Sequence, residues 1–396
     1  MGLLNQCRVA LQVALRGLQL RCWPVINTVI GTASVVGVFV VLLSIAAGYE
    51  RTLQLSGDAD NLLIMRAGAR SELESSLTGE QARLIRNATA VAKDAQGRPR
   101  AAAEVYAIAS VEEDGDSNNI ALRGVEEASY QLRPRWRLVE GRKPKSGMRE
   151  LLVGRRATQR FQSLSLGAQI PIADGKWTVV GVFEADGGVA ESELWTDIST
   201  LQSAYQRGEQ VQLVVVRLAE ARGIAAFRTA LEKDPRLDVQ VETEEDYYSQ
   251  QAQQMNGFVK TLGFSISFLM GLAAVFVALN AGYASTTARA REIATMIALG
   301  LEERAMTLSV LLESVALSLL GGVLGSALAY AFFDGHLSST LFYSKDFAQV
   351  VFAFEVTAGI LLQAIAAAVL IGVIGGLWPA LSVTRLPAAH ALGIHR

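Results

Sequence analysis

"TLGFSISFLMGLAAVFVALNAGYASTTARAREIATMIALGLEER" occupies residues 261–304, and its reading decides the fold. Residues 261–288 contain no charged side chain. The next stretch, 289–304, holds Arg289, Arg291, Arg304, Glu292, Glu302 and Glu303 around an apolar middle. A helix needs about 20 predominantly apolar residues to cross a bilayer, and the first part supplies them. Three more runs have this character. Residues 22–49 and 356–384 carry no charge, and residues 305–333 carry only Glu313. One such run could be a buried helix of a soluble protein, but four in one chain select a membrane protein. The first run has an apolar stretch, 25–47, longer than the core of a secretion signal, so it reads as an uncleaved span.

Composition agrees. The chain of 396 residues is 51% hydrophobic and 19% charged, against about 25% charged in soluble domains. Its net charge of −2 provides no basic field for nucleic acid. The two cysteines, Cys7 and Cys22, both lie near the N-terminus, so no disulfide framework serves the rest.

The expected fold is an α-helical membrane protein with four transmembrane helices, 23–48, 258–283, 305–333 and 356–381. A large α+β extracytoplasmic domain, 49–257, is inserted between helices 1 and 2, with a β-rich subdomain near 115–210. A cytoplasmic amphipathic helix over 1–22 lies along the interface, carrying Arg8, Arg16 and Arg21 among leucines and valines. Lys and Arg favour the cytoplasmic side. They concentrate in that helix, in the 284–304 segment and in the 382–396 tail, and are sparse in the external loop 334–355. Both termini are therefore expected in the cytoplasm.

Within the insert, "TGEQARLIRN" (78–87) starts a helix at a Thr78–Gln81 capping box. "IPIADGKWTVVGVF" (170–183) places Asp-Gly between β-rich runs, a hairpin signal. "VEEDGDSNN" (111–119) is turn-rich and reads as a subdomain boundary. A helical stretch, 244–260, leads into the second span. All three histidines, His336, His390 and His395, lie outside the insert, and so do both cysteines. That removes His-based nucleophilic triads and the usual zinc ligand sets from it, leaving no expected catalytic or metal-binding residue.

Two ordered sets of motifs now resemble one family, the MacB/FtsX-like (type VII) ABC transporter permeases. One set is Arg291-Glu292-Ile293, Gly300, a helix with Glu313 and Gly321, Gly322 and Gly325, then Gly376-Leu377-Trp378-Pro379-Ala380 and Pro387. The other lies in the insert: "VEGRKP", "ELLVGRRATQRF", "GVFEADGG" and "LWTDISTLQSAY", where Thr196-Asp197 replaces the usual proline-containing turn. The resemblance implies a stand-alone, non-enzymatic permease subunit of the bacterial inner membrane. It would work as a homodimer, or as a heterodimer with a related permease, on a separate cytoplasmic ABC ATPase dimer that holds ATP and Mg. Mechanotransmission would carry ATP-driven closure to the periplasmic core domain. Members export amphipathic cargo such as drugs, peptides or lipids, some through a periplasmic membrane-fusion protein, and others extract lipoproteins from the membrane. FtsX-like members instead regulate a periplasmic enzyme. A sensor or structural protein without an ATPase is the reading from another class. The sequence contains no G-x-x-x-x-G-K-[ST] phosphate loop, so no cofactor is expected in this chain.

The family's coupling helix would correspond to Arg289, Arg291, Glu292, Ile293, Met296, Ile297, Gly300 and Leu301. The apolar members recur at three-to-four spacing, and Gly300 suits a helix C′ position with Leu301 folding back on Met296. Glu313 is costly inside a membrane and calls for a partner, with Arg289, Arg291 or the first span expected. Ser318, Gly321, Gly322, Gly325 and Ser326 form small-residue faces, suited either to packing within the subunit or to a dimer seam. Gly376, Pro379, Ala380 and Pro387 complete the C-terminal motif.

Overall fold

The computed structural model describes residues 22–113, 115–340 and 348–382. The interfacial helix expected over 1–22, apart from Cys22, and nearly all of the tail over 382–396, Pro387 included, lie outside the described residues. The elements begin with α1 (Cys22–Gln54), β1 (Asn61–Arg66), α2 (Gly79–Arg86), β2 (Ala101–Glu113), β3 (Asp116–Val125), α3 (Glu127–Leu132) and β4 (Arg137–Gly141). Then come β5 (Glu150–Gly154), α4 (Arg155–Arg160), β6 (Gln169–Ile172), β7 (Gly175–Glu184), β8 (Leu194–Asp197), α5 (Ile198–Ala204), β9 (Leu213–Arg217), α6 (Ile224–Glu232) and β10 (Val239–Thr243). The chain continues through α7 (Glu244–Ala288), α8 (Ala290–Ala298), α9 (Glu303–Phe333), β11 (Leu337–Ser339), β12 (Val351–Ala353) and α10 (Ala358–Ser382).

Two compact units result. Of the described residues, one holds those of 22–47, 257–336 and 354–382, and the other those of 48–256 and 337–353. In the first, α1, α7, α9 and α10 are each long and apolar enough to cross a membrane. The helical lead-in expected at 244–260 joins the second span as one helix of 45 residues.

The second unit is built on one ten-stranded sheet, ordered β10-β1-β9-β2-β3-β8-β5-β7-β4, with β6 added to β7. Strands covered on both faces read as continuous apolar runs. That is the pattern of "NLLIMR" in β1 and "LVVVR" in β9, which are buried almost throughout. The Thr78–Gln81 capping box forms at the start of α2. Asp197 caps α5, its Oδ1 accepting from the Thr200 N–H at 3.0 Å, so it performs the turn that the missing proline would have shaped. β11 and β12 also belong here. The Val351 N–H donates to Ser192 Oγ at 2.9 Å, and the Gln349 N–H donates to the Asn119 carbonyl at 2.7 Å. The loop after α9 is thus folded with the insert, as two segments on the same side of a membrane would be.

Two local expectations shift. "VEEDGDSNN" is no boundary, because β2 and β3 pair as one hairpin out to Glu113 and Asp116. A hairpin tip in solvent needs the same polar, turn-prone residues as a linker. The β6–β7 hairpin turns on Ala173–Asp174, one residue before Asp-Gly, with Ile172 opposite Gly175 and Ala173 at φ +49°.

The sheet also buries an unexpected charge cluster. Arg123 of β3 is 2% exposed, and all five of its N–H donors are used. Nε and Nη2 donate to Glu193 at 2.7 Å each, Nη1 and Nη2 to Glu72 at 3.2 and 2.8 Å, and Nη1 to Glu104 at 2.9 Å. Arg133 donates twice to Glu104, at 2.6 and 2.9 Å, and the Trp195 indole N–H donates to Glu193 at 2.7 Å. Three carboxylates thus face two guanidiniums, and Glu72 has neither the second arginine nor the indole. Burial pushes the Glu104 carboxyl up, but Arg133 and Arg123 more than reverse this and hold it at about 2. Burial also pushes up the Glu72 carboxyl; Arg123 opposes this without overcoming it, and Glu193 and Glu104 add to the rise.

These opposite directions predict opposite linkage. Glu104 contributes stability that is present above its unfolded value of 4.5 and is lost as pH falls toward 2, about 3 kcal/mol in all. Glu72 gains nothing from ionising. Thermal unfolding of the full chain in detergent at pH 7 should show Arg123→Met and Glu104→Gln costing about 3–5 kcal/mol, and Glu72→Gln costing least. An equal loss from all three would contradict this charge assignment.

Candidate functional site: the helix break at Arg289 and the junction of the spans

α7 stops at Ala288, and Arg289 takes φ −103° and ψ 6° before α8 begins. Arg289 is 5% exposed, and its Nη1 donates to Glu313 Oε2 at 2.9 Å. Its Nε lies 3.4 Å from Glu292 Oε2. Glu313 sits on α9, about 15 Å along the helix from Glu303 at 1.5 Å per residue, and is 8% exposed. The acid foreseen as needing a partner has one, Arg289.

α8 ends in a Schellman motif. The Gly300 N–H donates to the Ile297 carbonyl at 2.9 Å, and the Leu301 N–H to the Met296 carbonyl at 3.2 Å. Gly300 takes φ +96°, the left-handed conformation this motif requires. Ile293 is buried against Met306 of α9, with Met296, Ile297, Leu301 and Val310 packed around them. The apolar stripe expected to meet another protein is therefore largely covered by this chain. Arg291, Glu292, Thr295, Ala298, Leu299 and Gly300 stay exposed. Leu299, absent from the expected set, is the most exposed large apolar residue here, at 78%. Its position at the C-cap, just outside the helical period, is why periodicity passed over it.

The small-residue faces pack spans within the subunit. On α9, Gly321 and Gly325 face α1: a Cβ on Gly321 would lie 2.6 Å from the Val29 carbonyl oxygen. Gly322 meets Ala368 of α10. Gly376 of α10 meets α9, where a Cβ would stand 2.6 Å from Ser314 Cβ, and Gly372 meets Ser318. Pro379 closes on Gly282 of α7, and Ala380 is fully buried. Ser318 and Ser326 are buried as well, and neither hydroxyl has a hydrogen-bond partner among the described residues. A recess bounded by all four spans brings Glu313, Gly376 and Pro379 together with Thr28, Gly282 and Ser285. Of the expected positions, Glu313, Gly376 and Pro379 share this recess, while Gly321, Gly322 and Gly325 pack farther along α9 and Arg291, Glu292 and Gly300 stay exposed. No group of acids, histidines and cysteines among the described residues could hold a metal ion.

Residues 26–234 match the MacB-like periplasmic core domain, and residues 264–388 match the FtsX-like permease C-terminal region. The Burkholderia cenocepacia protein described as macrolide export ATP-binding/permease protein MacB is 28% identical over 238 residues, covering 57% of this chain and 33% of that protein. The protein of the same description from Bdellovibrio bacteriovorus is 23% identical over 398 residues, covering 93% of this chain and 58% of its own length. The chain thus spans from a third to under two thirds of these relatives. Among solved structures, the periplasmic region of MacB from Actinobacillus actinomycetemcomitans aligns over 51% of this chain and 95% of its own, at 12% identity and a TM-score of 0.38.

The close approaches make the glycines testable. Gly376→Val or Gly321→Val should lower the thermal stability of the detergent-solubilised chain by about 1–3 kcal/mol, the usual cost of overpacking. Gly359→Val, with only Thr357 Oγ1 nearby at 3.8 Å, should leave it unchanged.

Proposed function

The chain belongs to the MacB/FtsX-like family of ABC transporter permeases, and on that premise we propose that it is the membrane subunit through which a separate ATPase moves an extracytoplasmic domain. The observation that carries this reading is the exposed face of α8. Arg291, Glu292, Thr295 and the C-cap residue Leu299 are exposed on a short helix between two spans. A charged pair beside one protruding leucine suits a protein groove. It suits a lipid surface poorly, since the apolar side of the helix is already used. The arginines of this segment favour the cytoplasmic side, where an ATPase dimer with its ATP and Mg would dock. The missing phosphate loop requires the hydrolysis to come from elsewhere.

The insert can receive such a movement. Residues 48–54 of α1 and 244–256 of α7 belong to its unit, and they are built into it. Arg156 Nη1 donates to Thr52 Oγ1 at 3.0 Å, and Asn61 Nδ2 donates to Glu244 Oε2 at 3.0 Å. Tyr49, Leu53, Tyr247 and Tyr248 are buried. We assign the protein to the bacterial inner membrane, with cytoplasmic termini and a second permease copy as partner. The cargo would be amphipathic, in line with the macrolide export named for the relatives, and a periplasmic membrane-fusion protein would extend the path.

Affinity purification from membranes should retain an ATPase chain with the wild-type protein. Leu299→Asp together with Glu292→Lys should reduce that recovery about tenfold or more, while membrane insertion is unchanged. Equal recovery with the double variant would overturn the docking assignment.

A further inference from the structure

We infer that the Arg289–Glu313 pair makes α8 and α9 one mechanical body, and that α7 hinges against that body at Arg289. The inference rests on the reading that α8 is where the ATPase docks.

The chain order alone suggests the opposite, because α8 follows α7 after a single residue. The contacts reverse that expectation. Helical backbone ends at Ala288, and Arg289 turns its guanidinium to Glu313, 24 residues on. At the middle of α8, Ile293 is buried on Met306. At its far end, the Schellman turn brings Leu301 against the cluster of Ile293 and Met306. The segment is therefore fastened to α9 at its start, middle and end. It meets α7 through the one residue at which the helix breaks. The Arg289 N–H reaches back to the Ser285 and Thr286 carbonyls at 3.2 Å each, a bifurcated link at a helix terminus.

Burial makes the first fastening strong. Both partners are less than a tenth exposed, so separating them would break a charge pair held away from water. A push on α8 is thus delivered to α9. From α9 it passes to α10 through Gly322, Gly372 and Gly376, where the two helices leave no room for a Cβ. The pair is a positioning device: it decides which span follows the motor.

Pulsed electron paramagnetic resonance on the full chain, with Cys7 and Cys22 replaced by serine, tests this. Labels go at the exposed positions Ala298 and Leu308 for α8–α9, and at Tyr283 and Leu308 for α7–α9. Labelled chains are diluted into unlabelled copies, so that distances within one chain are read. With the co-purified ATPase trapped by ADP–vanadate, the 298–308 distance should stay narrow and fixed while the 283–308 distance shifts. Without nucleotide, Glu313→Gln and Arg289→Gln should each broaden the 298–308 distribution, and the double variant no further than either single one. A nucleotide-dependent 298–308 distance, or an unbroadened distribution in both single variants, would overturn the inference. If the wild-type chain retains no ATPase, the docking reading fails on its own, and the nucleotide-free comparison still decides whether the pair holds α8 to α9.

Discussion

A charge taken out of water must meet an opposite charge, and each unit of this chain is arranged around an arginine that does so. In the sheet, Arg123 joins Glu72, Glu104 and Glu193, which come from three separate parts of the insert. Among the spans, Arg289 joins Glu313 at the point where α7 breaks. Such pairs are weak evidence for net stability, because desolvation opposes the attraction. Their effect is to make other arrangements expensive. A β3 displaced by one residue would move Arg123 to the opposite face of the sheet, away from all three carboxylates. An α8 swung away from α9 would part Arg289 from Glu313.

What the sequence revealed follows the range of each interaction. The capping box at Thr78, the glycine turn at Gly300 and the return of Leu301 to Met296 all involve residues a few positions apart, and all were legible. Glu313 was legible as an anomaly, since a lone acid in an apolar run requires a partner, and the nearest arginines were obvious candidates. The Arg123 cluster was not. Its partners lie 51, 19 and 70 residues away, and nothing local links them. A faint signal existed: Arg123 in "IALRGV" and Glu104 in "AAAEVY" are the single charges in those otherwise apolar, buried stretches of β3 and β2. Two opposite charges in such strands point to each other even when the register is unknown.

The glycines illustrate a different limit. In lipid no hydrophobic force drives helices together, so close approach and van der Waals contact must do it. A small-residue face therefore announces a contact without naming the partner. Gly321, Gly322 and Gly325 read equally well as a dimer seam or as internal packing. Only the structure shows two of them turned to α1 and one to α10. Little more than one turn of one helix serves two neighbours, which a single helical face could not have told.

The same limit reshapes how the charged segment between the spans is understood. Its apolar spacing, Ile293 through Leu301, is the part that looks like a recognition stripe, yet those side chains fold inward on Met306 and Val310. A short helix of nine residues is not stable alone, so it must spend most of its apolar surface on being a helix at all. What remains for a partner is the opposite side: Arg291, Glu292, Thr295 and the leucine at the cap. Residues that make a docking helix exist and residues that make it dock are therefore separate sets. Substitutions in the first set would abolish binding without ever having touched the partner, and a contact surface is identified only by the second.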